Sequence, residues 1–153
     1  MPDQDAVSAA VNRLSARDDE SLELLLGMRA QAIEKSPALE EDVDFLPEYD
    51  STTMGGLDSV KSLGRRLLTR WNKELYGLVC GDKPEDAAER KKIMTALNIS
   101  VGAAATAIAM TLTTLAVPAA LAVVAAPIFV KRMLVPGKEE MCAAWLEDIN
   151  SKV

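Results

Sequence analysis

The chain has 153 residues, 23 acidic and 17 basic side chains, no histidine and a net charge of −6. A chain of this length can bury enough surface to fold without staples. The missing histidine, with cysteines only at 80 and 142, removes most zinc sites, imidazole acid–base chemistry and the common catalytic triads. The acidic balance argues against a nucleic-acid partner.

Hydrophobic residues make up 49% of the chain but aromatic ones only 4%. The core must therefore come from Ala, Leu, Val, Ile and Met, side chains suited to helix packing. The expected fold class is all-α, a bundle of about six helices around a central Ala-rich hairpin. Charge is unevenly spread: −9 over residues 1–50, +3 over 51–97 and zero over 98–153.

Residues 1–35 read as an acidic helical hairpin. One helix runs from Asp5 to Ala16 with Val7, Val11 and Leu14 on one side, and a second from Glu20 to Lys35 with Leu22, Leu25, Leu26, Met28 and Ile33. Asp18 and Asp19 between them are placed to cap the second helix, and Ser36-Pro37 stops it.

Residues 36–56 have no sustained helical period and read as an acidic linker. Phe45, Leu46 and Tyr49 stand there among six carboxylates, Glu40, Glu41, Asp42, Asp44, Glu48 and Asp50. Such a segment either packs across its own domain or folds onto a partner.

Leu57–Cys80 carries the clearest amphipathic pattern, with Leu57, Val60, Leu63, Leu67, Trp71, Leu75 and Leu78 stepping by three or four. Lys61, Arg65, Arg66, Arg70 and Lys73 occupy much of its other side, a basic face for phosphate, anionic lipid or the protein's own acidic linker, the last being the most local. The loop Gly81-Asp82-Lys83-Pro84 suits a left-handed cap at Gly81 and a first helical turn at Pro84. No strand precedes it and no GK[ST] follows, so it is no phosphate loop.

From Ile93 to Val130 there are 38 residues without a charge, flanked by Arg90-Lys91-Lys92 and Lys131-Arg132. Pro118 divides them into expected helices Ile93–Ala116 and Ala119–Leu134. The first is long enough to cross a bilayer, and the basic flanks suit a hairpin with both ends in the cytosol. Against this, its threonines and alanines make insertion marginal. Gly102, Ala105, Ala109 and Thr113 permit close helix contact in either setting, so a hairpin buried in protein and one inserted in lipid both stand.

A last helix, Lys138 to about Asn150, places Met141, Trp145, Leu146 and Ile149 on an apolar side. Cys80 and Cys142 are expected as buried inert thiols, and the acidic start MPDQDAVSAA lacks export-signal features, giving a cytoplasmic expectation, or the inner membrane if the hairpin inserts.

Trp71, the Cys80-Gly81-Asp82 turn, Arg90, the Ala-rich hairpin and Cys142 with Trp145 together resemble the small helical proteins of bacterial conflict and antiviral operons, over roughly residues 57–150. The resemblance implies an effector or adaptor beside a sensor, protease or signalling enzyme, with no catalytic residues. The domain expectation is 1–35, 36–56 and a bundle 57–153 containing the hairpin 93–134. The functional expectation is a non-enzymatic interaction protein without cofactor or metal, binding a protein partner or itself through Phe45, Leu46, Tyr49, Arg65, Arg66, Arg70 and Lys73. The alternative is a membrane-active effector whose hairpin inserts when released.

Overall fold

The computed structural model describes residues 3–47, 56–134 and 140–151, and every regular element in them is helical. Seven α-helices follow in order: α1 Gln4–Leu14, α2 Asp19–Lys35, α3 Leu57–Cys80, α4 Ala87–Ile99, α5 Val101–Thr114, α6 Ala119–Leu134 and α7 Met141–Ser151. Single 3-10 turns lie at Pro37–Glu41 and Pro84–Asp86. Asp3 caps α1, and Asp18 caps α2 by accepting from the Ser21 amide at 2.8 Å.

The bundle is organised around α6. All residues from Ala119 to Val130 are buried, so this helix is apolar on every side and needs neighbours on every side. It packs chiefly on α5, with α1, α2 and the Pro37–Glu41 turn covering other faces. Lys131, in its last turn, reaches back to the α1–α2 corner, donating to the Arg17 carbonyl at 3.2 Å and to Asp19 at 3.3 Å.

The expected helix Ile93–Ala116 is broken in two. Ser100 is extended and serves both sides of the break: its amide donates to the Ala96 carbonyl, closing α4, while its hydroxyl accepts from the Ala103 amide, opening α5. The turn into α6 is a Schellman motif. The Val117 amide donates to Leu112 and the Ala116 amide to Thr113, with Ala116 left-handed at φ 69°. Pro118 then starts α6, as its sequence position implies.

Helices α2 and α3 meet backbone to backbone. A Cβ on Gly64 would lie 2.2 Å from the Glu23 carbonyl oxygen, and one on Gly27 would lie 2.1 Å from that of Val60. This shifts the buried seam of α3 from the expected stripe: Leu63 and Leu67 are half-buried, and Val60, Gly64, Leu68, Trp71, Asn72, Leu75, Leu78 and Val79 line the interior.

The end of α3 departs from the sequence reading in two respects. Gly81 is extended at φ −78°, not left-handed; glycine is required because a Cβ would fall 2.2 Å from the Gly77 carbonyl oxygen. Cys80 and Cys142, expected as separate thiols, form a disulfide with their Cα atoms 5.7 Å apart. Packing of α7 along α3 brings together two cysteines 62 residues apart, a separation that carries no pairing signal of its own.

Candidate functional site

On α3, positions 66, 70 and 73 fall on one side of the helix. Arg66, Arg70 and Lys73 are exposed and make no ion pair among the described residues. Their neighbours are engaged internally: Arg65 donates to Glu23 at 2.8 Å, which raises its pKa, and Lys61 pairs with Glu20. The carboxylates that pair with these two cations, Glu20 and Glu23, belong to α2 and lie outside the acidic segment 36–56.

The described part of that segment lies elsewhere. Past the 3-10 turn, Val43 is buried and Asp44 pairs with Arg13 of α1. Phe45 is half-buried with its ring 5.2 Å from the Arg29 guanidinium, while Leu46 beside it is 68% exposed. Tyr49 lies outside the described residues, as do Lys138 and Glu139.

Arg29 is the buried charged side chain among the described residues, and sequence reasoning misses it. It is 1% exposed, and its Nη1 donates to the Ala120 carbonyl of α6 at 2.8 Å, while Nε has no hydrogen-bond partner. Burial lowers its pKa to about 10, and the fields of Asp42 and Asp44 act in the opposite direction. Its position carried a signal: Leu22, Leu26, Arg29 and Ile33 step by four, three and four along one face of α2. Arg29 therefore ties α2 to α6 and gives Phe45 a cation to cover.

A groove of about 920 Å³ runs between α1, α4 and α5. Ala96, Ala103, Ala107 and Met110 line it, with Asp5 on the α1 side and Lys91 and Lys92 on the α4 side. The Thr106 and Thr113 hydroxyls donate to carbonyls of their own helix, Gly102 and Met110. Of the residues marked for hairpin contact, Ala105 and Ala109 are fully buried; Gly102 is half-buried near Asn12 of α1, and Thr113 lies in the groove wall. Ile99, at 71% exposure, and Val101, at 54%, flank the Ser100 break.

At the far end, α7 lies against an Asn72, Tyr76, Cys80 row on α3. The Trp145 indole N–H donates to Asn72 Oδ1 at 2.6 Å in a buried contact, and its ring meets Tyr76 edge-on at 5.6 Å. Arg90 of α4 donates from Nε to the Leu78 carbonyl at 3.1 Å, placing a cation at the negative end of the α3 dipole.

Among the described residues, no cluster of three or more cysteine, aspartate or glutamate side chains has metal-holding geometry, and no helix is long and apolar enough to cross a membrane. No protein-family model matches the chain, and no curated protein or solved structure matches it either.

Proposed function

We propose that this chain is a non-enzymatic helical interaction protein whose α3 basic row receives an acidic segment of a protein partner. The observation that carries this reading is the contrast along one helix. Lys61 and Arg65 have carboxylate partners, whereas Arg66, Arg70 and Lys73 project from the same rigid element with none among the described residues. Like charges at i and i+4 repel within a helix, so an external carboxylate relieves them. The backbone of a packed helix is already ordered, so binding costs these residues side-chain freedom alone. A protease or signalling enzyme bearing such an acidic segment fits the role implied by the resemblance above.

A fluorescent oligoglutamate peptide tests this directly. It is expected to bind at low ionic strength, to weaken steadily with salt, and to lose about tenfold in affinity when Arg66, Arg70 and Lys73 are all changed to Ala. Unchanged binding by that triple variant refutes the assignment, as does no binding at low salt.

A second reading, an effector whose α5–α6 hairpin enters a bilayer on release, draws support from the uninterrupted burial of Ala119–Val130. Its difficulty is length. The 14 residues of α5 and 16 of α6 span about 21 and 24 Å, short of a hydrocarbon core of about 30 Å. Sedimentation with anionic vesicles, resistant to carbonate extraction, would favour it over the protein-partner reading.

A further inference from the structure

We propose that the Cys80–Cys142 disulfide is a reducible latch on α7, so that dithiol exchange frees this helix while the α6-centred bundle stays folded. The disulfide joins the last residue of α3 to the second residue of α7. Both cysteines are only partly buried, which leaves a path for an attacking thiolate.

The helix it holds depends on outside support. Eleven residues are too few to persist as a helix in water alone. Its contacts run to α3 and, less extensively, to α6, whereas α1, α2 and α5 cover α6 without it. Among the described residues, the buried side chains of α7 are Met141, Trp145 and Ile149. The central one, Trp145, is anchored through a polar bond to Asn72, which water can replace once the seam opens.

The chemistry closes with a dithiol reductant. One of its thiolates attacks a sulfur of the pair, the Cys80–Cys142 bond breaks, and a mixed disulfide forms. The reductant's second thiolate then displaces the protein sulfur. Two electrons and two protons pass to the protein, leaving two thiols, and the reductant ends as its own disulfide. Departure of α7 uncovers Asn72 and Tyr76 on α3, immediately beside Lys73, and so extends the basic row into an apolar-edged surface. That consequence rests on the proposed function; the latch does not.

Amide hydrogen exchange of the full chain, oxidised and after treatment with dithiothreitol, tests the latch, with alkylation confirming that both thiols have formed. Exchange in residues 141–151 is expected to rise tenfold or more while α5 and α6 keep their protection. The C80S/C142S variant, never oxidised, is expected to match the reduced protein. The proposal is overturned if α7 stays equally protected with both thiols alkylated, if protection falls throughout the chain together, or if dithiothreitol leaves the bond intact under native conditions. Oligoglutamate binding measured on the same samples separates the two ideas, since exchange can change without any change in peptide affinity.

Discussion

The α2–α3 crossing offers the sharpest stability test. A Cβ at Gly64 would stand 2.2 Å from the Glu23 carbonyl oxygen, which is backbone and has no rotamer into which to retreat. Restoring ordinary contact requires the two helices to part by roughly 1 Å, and a gap of that size forfeits a quarter to a half of the dispersion energy of each atom pair it separates. Overpacking of this kind costs about 1 to 3 kcal/mol, and a backbone obstacle places Gly64→Ala toward the upper end. Alanine returns up to ~1 kcal/mol through its better helix propensity. The net loss is then about 2 kcal/mol, read as a fall in Tm of roughly 4 to 8 °C for a chain of this size, with a lower urea midpoint and unchanged slope. Gly77 supplies the control. It lies in the same helix with nothing within 4 Å of its Cβ position, so Gly77→Ala receives the propensity gain alone and should stabilise. Because Gly27 and Gly64 flank one crossing, the G27A/G64A pair should lose less than the sum of the single losses. If Gly64→Ala is as stable as Gly77→Ala, the backbones of α2 and α3 do not meet at Gly64.

Further outcomes follow from other contacts. Ala116→Gly relieves a left-handed alanine at φ 69° and should raise stability by about 1 kcal/mol in urea titration, since L-residues are penalised there by roughly 1 to 2 kcal/mol. Trp145→Phe strands the buried Asn72 oxygen and should cost about 1 to 3 kcal/mol by thermal melting, with Asn72→Leu in the same chain recovering most of it. Ala109→Leu, at a fully buried site, should cost roughly 1 to 3 kcal/mol, and an unchanged Tm would contradict its place in the core. Arg29 has a folded-state pKa of about 10, lowered from the ordinary guanidinium value by burial, so the unfolded chain binds more protons as pH rises through 10 and folding stability rises with pH there. From pH 9 to 11 the wild type should gain about 1 kcal/mol relative to Arg29→Met in urea titrations, and a constant difference would refute the burial of the charge.

Legibility in the sequence tracked how local the cause was. The bounds of α3 and α6 follow from signals within the chain segment: an amphipathic repeat up to Cys80, and Pro118 ahead of an uninterrupted apolar run. The Ser100 break is local too, yet one serine in 38 uncharged residues is a weak mark against the continuity of the run. Arg29 and Asn72 stand within otherwise apolar helical periods, Asn72 midway between Leu68 and Leu75, and that placement is the sign that a polar group will be buried and need a partner. What stayed hidden is relational. Gly27 against α3, Gly64 against α2 and Cys80 beside Cys142 owe their roles to residues far along the chain, and helical period carries no information about them. The basic row was visible as a charge pattern, but the pairing of Arg65 with Glu23 depends on how α2 lies across α3.

The burial of α6 also orders events during synthesis. Arg29 finds its carbonyl 91 residues downstream at Ala120, and the Arg17 carbonyl its lysine 114 residues downstream at Lys131. The apolar faces of α1 and α2 are therefore made long before the helix that covers them has left the ribosome. Local contacts such as α2 on α3 can form early, but the core must wait for residue 130 and beyond, a long-range closure of the kind that slows folding. During that interval Val7, Val11, Leu22 and Leu26 have no α6 to cover them on the nascent chain, and apolar surface left open in this way is where aggregation competes with folding.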